Sequence, residues 1–451
     1  MIKLANQDLI SVPEPSLTPD EMVARAAGLR NLLLEKQATA EELGAPDPGV
    51  NNALIEAGFY RVVQPRRFGG YEFDLADFAR VTIELARGCP STAWYFSFSA
   101  GHALFVAQLF PEEAQHAAFG PSGEFYAPGR LPMGTAVPVD GGWRIKGRWD
   151  YCSGARYANY FVPAVLVPPE DDPEAAPSEV AMAIVPRAKW ELIDDWRDML
   201  GLRGSSSNSI SIDDQVIPAR DLVRANFMSV DLSKPPLGYE IHRNPLYGGR
   251  LQGAVHTSFA AVSVGAAWAM LDEYERTIKS RKTYFPPIVP RFQHHQYQRI
   301  YGQAYGKITT AQTIVVSTAA QHRALAARSV EGGPAFAPAE EMALITQYQN
   351  AMELALEAVD MLWRTAGSTA TRDDSRMQRY YRDCAMMRTH LSQQYEPFAE
   401  SFALVRLGLE GQSVRAGQTA DQMESRIKKT IDLVEEEAPQ QPLAVSGTGR
   451  R

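Results

Sequence analysis

Ser153 stands next to last in the segment WRIKGRWDYCSG, where two-residue alternation puts Trp143, Ile145, Gly147, Trp149, Tyr151 and Ser153 on one face, with Arg144, Lys146, Arg148 and Asp150 opposite. Two accounts fit that aromatic face. It is sheet core and Ser153 caps a turn, or it is a platform for a flat, partly polar ligand whose edge meets Ser153 and the Gly154 backbone. Glycine beside a ligand allows close backbone approach. His390, in RMQRYYRDCAMMRTHLSQQ, borders an apolar helical stripe of Tyr380, Cys384, Met387 and Leu391. An imidazole there can move a proton near neutral pH, or it is simply a partly buried polar side chain. His102 follows Trp94 by eight residues in STAWYFSFSAGHALF, about two helical turns, so the pair can share one face of a pocket or of the core.

Arg281 and Tyr284, in SRKTYF, close a long helical run. Arginine's planar fork of donors suits a phosphate, and a basic helix end is also what the helix dipole favours in solvent. Gly367, Ser368 and Thr369 break the pattern in WRTAGSTATRDDS, where exposed amides can cradle a phosphate or a ring edge, although an interhelical turn needs the same residues. GLRGSSSNS reads as a loop between strands with no catalytic role. His294 and His295 are adjacent but have no carboxylate or cysteine nearby in sequence, which argues against a metal site.

Three kinds of segment must position these groups. Residues 1–121 are helical in pattern, opening at SLTPDEMVARAAGLRNLLLEKQATAEEL with a cap-like Ser/Thr, an early proline and acids. Residues 122–225 hold short β-branched or alternating runs separated by Gly, Pro and Asp turns, which predicts a compact antiparallel sheet. Residues 226–412 return to long helical runs, the last over 375–411, which suggests a four-helix bundle. Residues 413–451 contain one short amphipathic helix, MESRIKKTIDLVEEE, and a Pro/Gln/Gly tail expected to be mobile. The fold class is therefore α+β.

The 451 residues are 45% hydrophobic and 22% charged, as in ordinary globular proteins, and the formal charge of −8 offers no general attraction to nucleic acid or anionic membrane. Small-molecule chemistry is favoured. The three cysteines form no CxxC pair, which fits a reducing cytoplasm and argues against a disulfide framework. No basic segment precedes an apolar core near residue 1, and no apolar run approaches the roughly 20 residues a membrane span needs.

A flavin has the shape that the platform would suit, and the order helices, small sheet, helical bundle is that of the acyl-CoA dehydrogenase fold. GFYRVVQPRRFGG, ELARGCPSTAW, APGRLPMGTAVPVDGGWRIKGRWDYCSG, GLRGSSSNSISIDDQVIP and RYYRDCAMMRTH together resemble, from about residue 18 to 410, one branch of that superfamily. The branch comprises the oxygenase components of two-component flavin-dependent monooxygenases, typified by p-hydroxyphenylacetate hydroxylase. The resemblance implies reduced FMN or FAD as cofactor, FMN being mildly preferred, and delivery by a separate NAD(P)H-dependent flavin reductase. It also implies a C(4a)-hydroperoxide formed with O2, a small aromatic, phenol-like substrate and a homotetramer. It gives Ser153 and Gly154 the flavin edge, His390 the oxygen adduct and the substrate's reacting position, and His102 and Trp94 the substrate. Trp149 and Tyr151 would be aromatic walls. Arg281, Tyr284, Gly367, Ser368 and Thr369 would be flavin contacts, the last three across a subunit boundary. No GxGxxG follows a strand, so a bound NAD(P)H site is not expected. An acyl-CoA dehydrogenase needs a carboxylate to take the substrate's alpha proton, and Leu391 stands where one would align. Thioester dehydrogenation, oxygenation of nitrogen or sulfur, and non-catalytic ligand binding remain the competing readings.

Overall fold

The computed structural model describes residues 10–120 and 123–409. The expected short helix and tail beyond residue 413 lie outside the described residues. Six helices come first: α1 Pro19–Gly28, α2 Arg30–Leu43, α3 Pro48–Glu56, α4 Leu75–Gly88, α5 Pro90–Leu109 and α6 Glu112–Phe119. Helix α1 begins with the reciprocal cap its sequence advertised. The Thr18 hydroxyl accepts from the Glu21 amide, and the Glu21 carboxylate accepts from the Thr18 amide at 2.8 Å.

The central strands are β1 Gly129–Arg130, β2 Gly134–Val139, β3 Gly142–Trp149, β4 Tyr160–Val167, β5 Glu179–Ala183, β6 Val185–Pro186, β7 Glu191–Ile193, β8 Ser209–Pro218 and β9 Leu222–Val223. They form one sheet in the order β7-β8-β3-β2-β4-β5-β9, with β1 and β6 also paired to β4. The sheet is antiparallel except that β1 and β2 run parallel to β4, so it is mixed rather than wholly antiparallel. Strands β4 and β5 are buried on both faces, which explains their nearly continuous apolar runs. Phe161, Val165, Ala181 and Ala183 enter the sheet's own core, while Val162 and Met182 face the helices.

Six more helices follow: α7 Leu237–His242, α8 Leu251–Ser280, α9 His295–Val330, α10 Pro338–Ala366, α11 Arg376–Met387 and α12 Tyr395–Arg406. Helix α8 is apolar on nearly every side because it runs through the centre, packed by α4, α5, α9, α10 and α11. By length and composition it could cross a membrane, yet it is a core helix here. Glu41 binds Arg379 and Arg382 at 3.1 and 2.7 Å and so ties α2 to α11.

The fourth expected bundle helix, over 375–411, is two helices. Pro397 cannot donate a backbone hydrogen bond, and its ring would collide with the carbonyl four residues earlier in a continuous helix. The chain accordingly leaves α11 at Met387 and restarts at Tyr395, which puts Pro397 in the first turn of α12. His390 therefore lies in a turn and not on a helix.

Candidate active site

A cavity of about 660 Å³ opens where α5, the start of α8, the β1–β2 segment, the turn after β3 and the α11–α12 break converge. Trp94, His102, Ser153, Tyr151 and His390, drawn from three regions of the sequence, all line it. Such a volume is typical of a small-molecule or cofactor site.

Ser153 sits in the turn beyond β3. Its Oγ accepts a hydrogen bond from Trp94 Nε1 at 2.9 Å and shares another with Ser207 Oγ at 2.8 Å. Tyr151 has a left-handed φ of +60°, which ends the strand's alternation and turns the next residues toward the cavity. It is 54% exposed and lies under Arg130, whose guanidinium is 5.9 Å from the ring centre. The platform itself is mostly sheet core. Trp149 is fully buried, donates from Nε1 to Ala164 O at 3.1 Å and packs edge-on to Phe161, so it is not a cavity wall. Gly154 is glycine for a different reason from the one expected. Its amide donates to the Ser205 and Ser206 carbonyls, and a Cβ at its φ of +93° would meet Ser99 Oγ at 2.0 Å. Close packing on α5, not approach to a ligand, requires glycine there.

His102 Nδ1 lies 2.5 Å from Phe98 O and 2.9 Å from Ala127 O. Both partners are acceptors, so Nδ1 carries the proton and Nε2 keeps its lone pair. Nε2 adjoins Gly129, a cavity residue at which an added Cβ would come within 2.2 Å of it. His390 has the opposite arrangement. The Ser392 amide donates to its Nδ1 at 3.1 Å, which places the proton of the neutral ring on Nε2. Its ring stands edge-on to Trp94 with centres 5.6 Å apart, and 4.7 Å from Phe259. Burial lowers the pKa of both imidazoles from 6.5 to about 4, and the positive charge of Arg130 adds to the effect at His390. One neutral histidine is thus an acceptor and the other a donor. Leu391, expected in the buried stripe, lines the cavity and is 54% exposed.

His256, Gln252 and Arg130 also line the cavity and were missed. Gln252, Val255, His256 and Phe259 recur at three- and four-residue spacing, which is the signature of one helix face, but the small apolar neighbours made that face read as core. Arg130 lies in PGRLPM, where no periodicity marks it. Its Nε donates to Asp150 O at 2.7 Å. Among the described residues no Asp or Glu lines the cavity.

Arg281 and Tyr284 do not join this cavity. Arg281 follows the last residue of α8, and its side chain binds Thr369 Oγ1; Tyr284 is 86% exposed. Gly367, Ser368 and Thr369 form the exposed turn after α10, where Arg291 donates to Ala366 O at 2.9 Å. Phe259 and Arg281 are 22 residues apart along one helix, roughly 33 Å at 1.5 Å per residue, too far for one mononucleotide to touch both. Among the described residues no three His, Cys, Asp or Glu side chains group as a metal site.

The lining fits a flavin ring. Aromatic and aliphatic walls suit its faces, Ser153, Gln252 and the histidines supply both donors and acceptors for its edge, and Arg130 supplies a positive charge.

Comparison with known proteins agrees. Residues 25–122 match the acyl-CoA dehydrogenase N-terminal domain and residues 257–395 the C-terminal domain. The chain is 25% identical over 418 residues to the oxygenase component of FADH(2)-dependent resorcinol hydroxylase from Rhizobium sp., covering 89% of this chain and 98% of that protein. It is 24% identical over 401 residues to the p-hydroxyphenylacetate 3-hydroxylase oxygenase component of Acinetobacter baumannii, covering 88% and 91%. Among solved structures, 3-HSA hydroxylase from Rhodococcus sp. RHA1 superposes with a TM-score of 0.78 at 25% identity, covering 86% of this chain and 97% of that one.

Proposed function

The chain belongs to the acyl-CoA dehydrogenase family, whose two domain models together match more than half of it, and from that premise we propose the oxygenase component of a two-component flavin-dependent monooxygenase. The substrate is a small aromatic, phenol-like molecule. One observation carries the reading: two neutral histidines of opposite polarity and the Ser153 hydroxyl face a single cavity that, among the described residues, no carboxylate lines. A thioester dehydrogenase would need that carboxylate as base.

Reduced flavin, FMN or FAD, supplies when bound the two electrons with which one atom of dioxygen enters the substrate and the other leaves as water. Ser153 would contact the ring edge and Tyr151 flank it. His102 Nε2 accepts the hydrogen of the substrate hydroxyl, which raises electron density on the aromatic ring and favours attack on an electrophilic oxygen. His390 holds a proton on Nε2 and packs against the Trp94 and Phe259 rings, whose apolar surfaces would help keep water from the reacting atoms. Because neither imidazole is charged at pH 7, each role is set by which nitrogen the backbone engages.

Arg281, Tyr284 and the 367–369 turn fit this reading as contacts to a neighbouring chain's flavin within a homotetramer, since each is exposed and remote from its own chain's cavity. A separate NAD(P)H-dependent reductase supplies the electrons. The cytoplasm is the compartment proposed, and the three free, buried cysteines suit its reducing conditions.

The test is to mix purified protein with chemically reduced FMN or FAD, oxygen-18 gas and a panel of phenols, and to measure labelled product and hydrogen peroxide. Ser153→Ala and His390→Ala should fold normally yet lose product per dioxygen consumed by roughly tenfold, with peroxide rising to match. Unchanged coupling in both variants would count against the assigned roles. Flavin reduction driven by acyl-CoA would replace the oxygenase reading with a dehydrogenase.

A further inference from the structure

The serine loop GLRGSSSN reads in sequence as an ordinary turn, yet two of its hydroxyls continue the hydrogen-bond row that begins in the cavity. Ser153 Oγ lies 2.8 Å from Ser207 Oγ, which lies 2.8 Å from Ser205 Oγ. Ser205 and Ser207 are buried, at 0% and 3% exposure. The loop is held against its own backbone preference: Leu202 and Ser206 adopt left-handed φ values of +51° and +46°, and Tyr151, on the facing turn, one of +60°. Such conformations persist at non-glycine residues only where surrounding contacts enforce them, and they concentrate at functional sites. Here Asp383 Oδ1 accepts the Leu202 amide at 2.6 Å, and the Gly154 amide donates to the Ser205 and Ser206 carbonyls.

A serine hydroxyl has one donor and two acceptor positions. The Trp94 indole can only donate, so it permanently fills one acceptor position of Ser153. What remains depends on Ser207. If Ser207 donates to Ser153, the Ser153 proton is turned to the cavity. If Ser153 donates to Ser207, its second acceptor position is free for the cavity instead. The row therefore offers either polarity at one fixed oxygen. A flavin needs both, because the central ring nitrogen bears hydrogen when reduced and none when oxidised.

We infer that Ser207, backed by Ser205, is a positioning residue that lets Ser153 accept from reduced flavin and donate to oxidised flavin. This rests on the reading that the cavity takes a flavin at Ser153. Without the Ser207 hydroxyl, the Ser153 proton has no internal acceptor and is left aimed into the cavity. That suits oxidised flavin and leaves a buried donor unmatched beside the reduced ring.

The test is anaerobic titration of each variant with oxidised and with reduced FMN or FAD, read by ligand fluorescence and absorbance, without turnover. Ser207→Ala should weaken reduced-flavin binding roughly tenfold while leaving oxidised-flavin binding within about twofold. That ratio lowers the two-electron potential of the bound flavin by about 30 mV. Ser207→Thr should restore the wild-type ratio, and Ser207→Ala should change nothing further when added to Ser153→Ala. Should Ser207→Ala fail to fold, Ser207→Cys, close in size and a weak donor, should show the same selective loss. Equal weakening of both forms, or a selective loss that survives in the Ser153→Ala background, overturns the proposal while the flavin reading stands. Wild-type protein that binds neither flavin overturns both.

Discussion

At His102 the surrounding structure holds the imidazole neutral, and three other buried histidines, His242, His322 and His390, share its pKa of about 4. For each, the folded value lies below the ordinary 6.5, so the unfolded chain takes up protons first as the solution is acidified. Their contribution to stability is complete above about pH 6.5 and is lost as pH falls toward 4, by at most about 3 kcal/mol per histidine. His102→Gln should therefore flatten the fall in urea midpoint between pH 6.5 and 4 by one proton's share. A slope identical to the wild type would show that His102 is protonated as readily folded as unfolded. Ser153, Trp94, His102 and His390 could be nominated from sequence because a hydroxyl, an indole and imidazoles stand out by type. What sequence did not contain was their tautomers, since these depend on carbonyls of residues 98 and 127 and on the amide of residue 392. Arg130 and His256 stayed hidden for the opposite reason, being set in a loop and on a helix face whose surroundings resemble packing.

The turn after β3 shows how an element succeeds where its periodicity stops. Alternation correctly predicts exposed Arg144, Lys146 and Arg148 and buried Ile145 and Trp149, but a bulge between Ile145 and Gly147 and the left-handed Tyr151 intervene before Ser153. The aromatic face is thus core, and only its last residues reach the cavity. Gly154→Ala should test how tightly that turn is clamped to α5. The added methyl would meet Ser99 Oγ at 2.0 Å on a left-handed backbone, and a loss of about 2–4 kcal/mol is expected in chemical denaturation. Adding Ser99→Ala should recover part of it; no recovery would place the strain in the backbone alone. The break between α11 and α12 has a cause that is legible in sequence. Pro397 is excluded from a helix interior, which is sufficient reason for the run to break before it.

For the whole molecule, the order of helical, sheet and helical segments was legible because the periodicity of apolar residues changes twice along the chain. The relation of the two ends of α8 was not, since a 30-residue helix sets its first turns in the cavity and delivers Arg281 to a distant surface. If Arg281 serves a neighbouring chain, Ser153→Ala and Arg281→Ala proteins should each be impaired alone, yet regain about a quarter of wild-type sites when their subunits are exchanged. Failure to complement would confine both residues to sites built within one chain. The cavity's wall residues run from Trp94 to Phe398, 304 positions apart, and no single segment encloses the space. A chain still missing α12 lacks Phe398 and has an incomplete receptacle, so reduced flavin handed over by a reductase would find its full site only once that helix is in place.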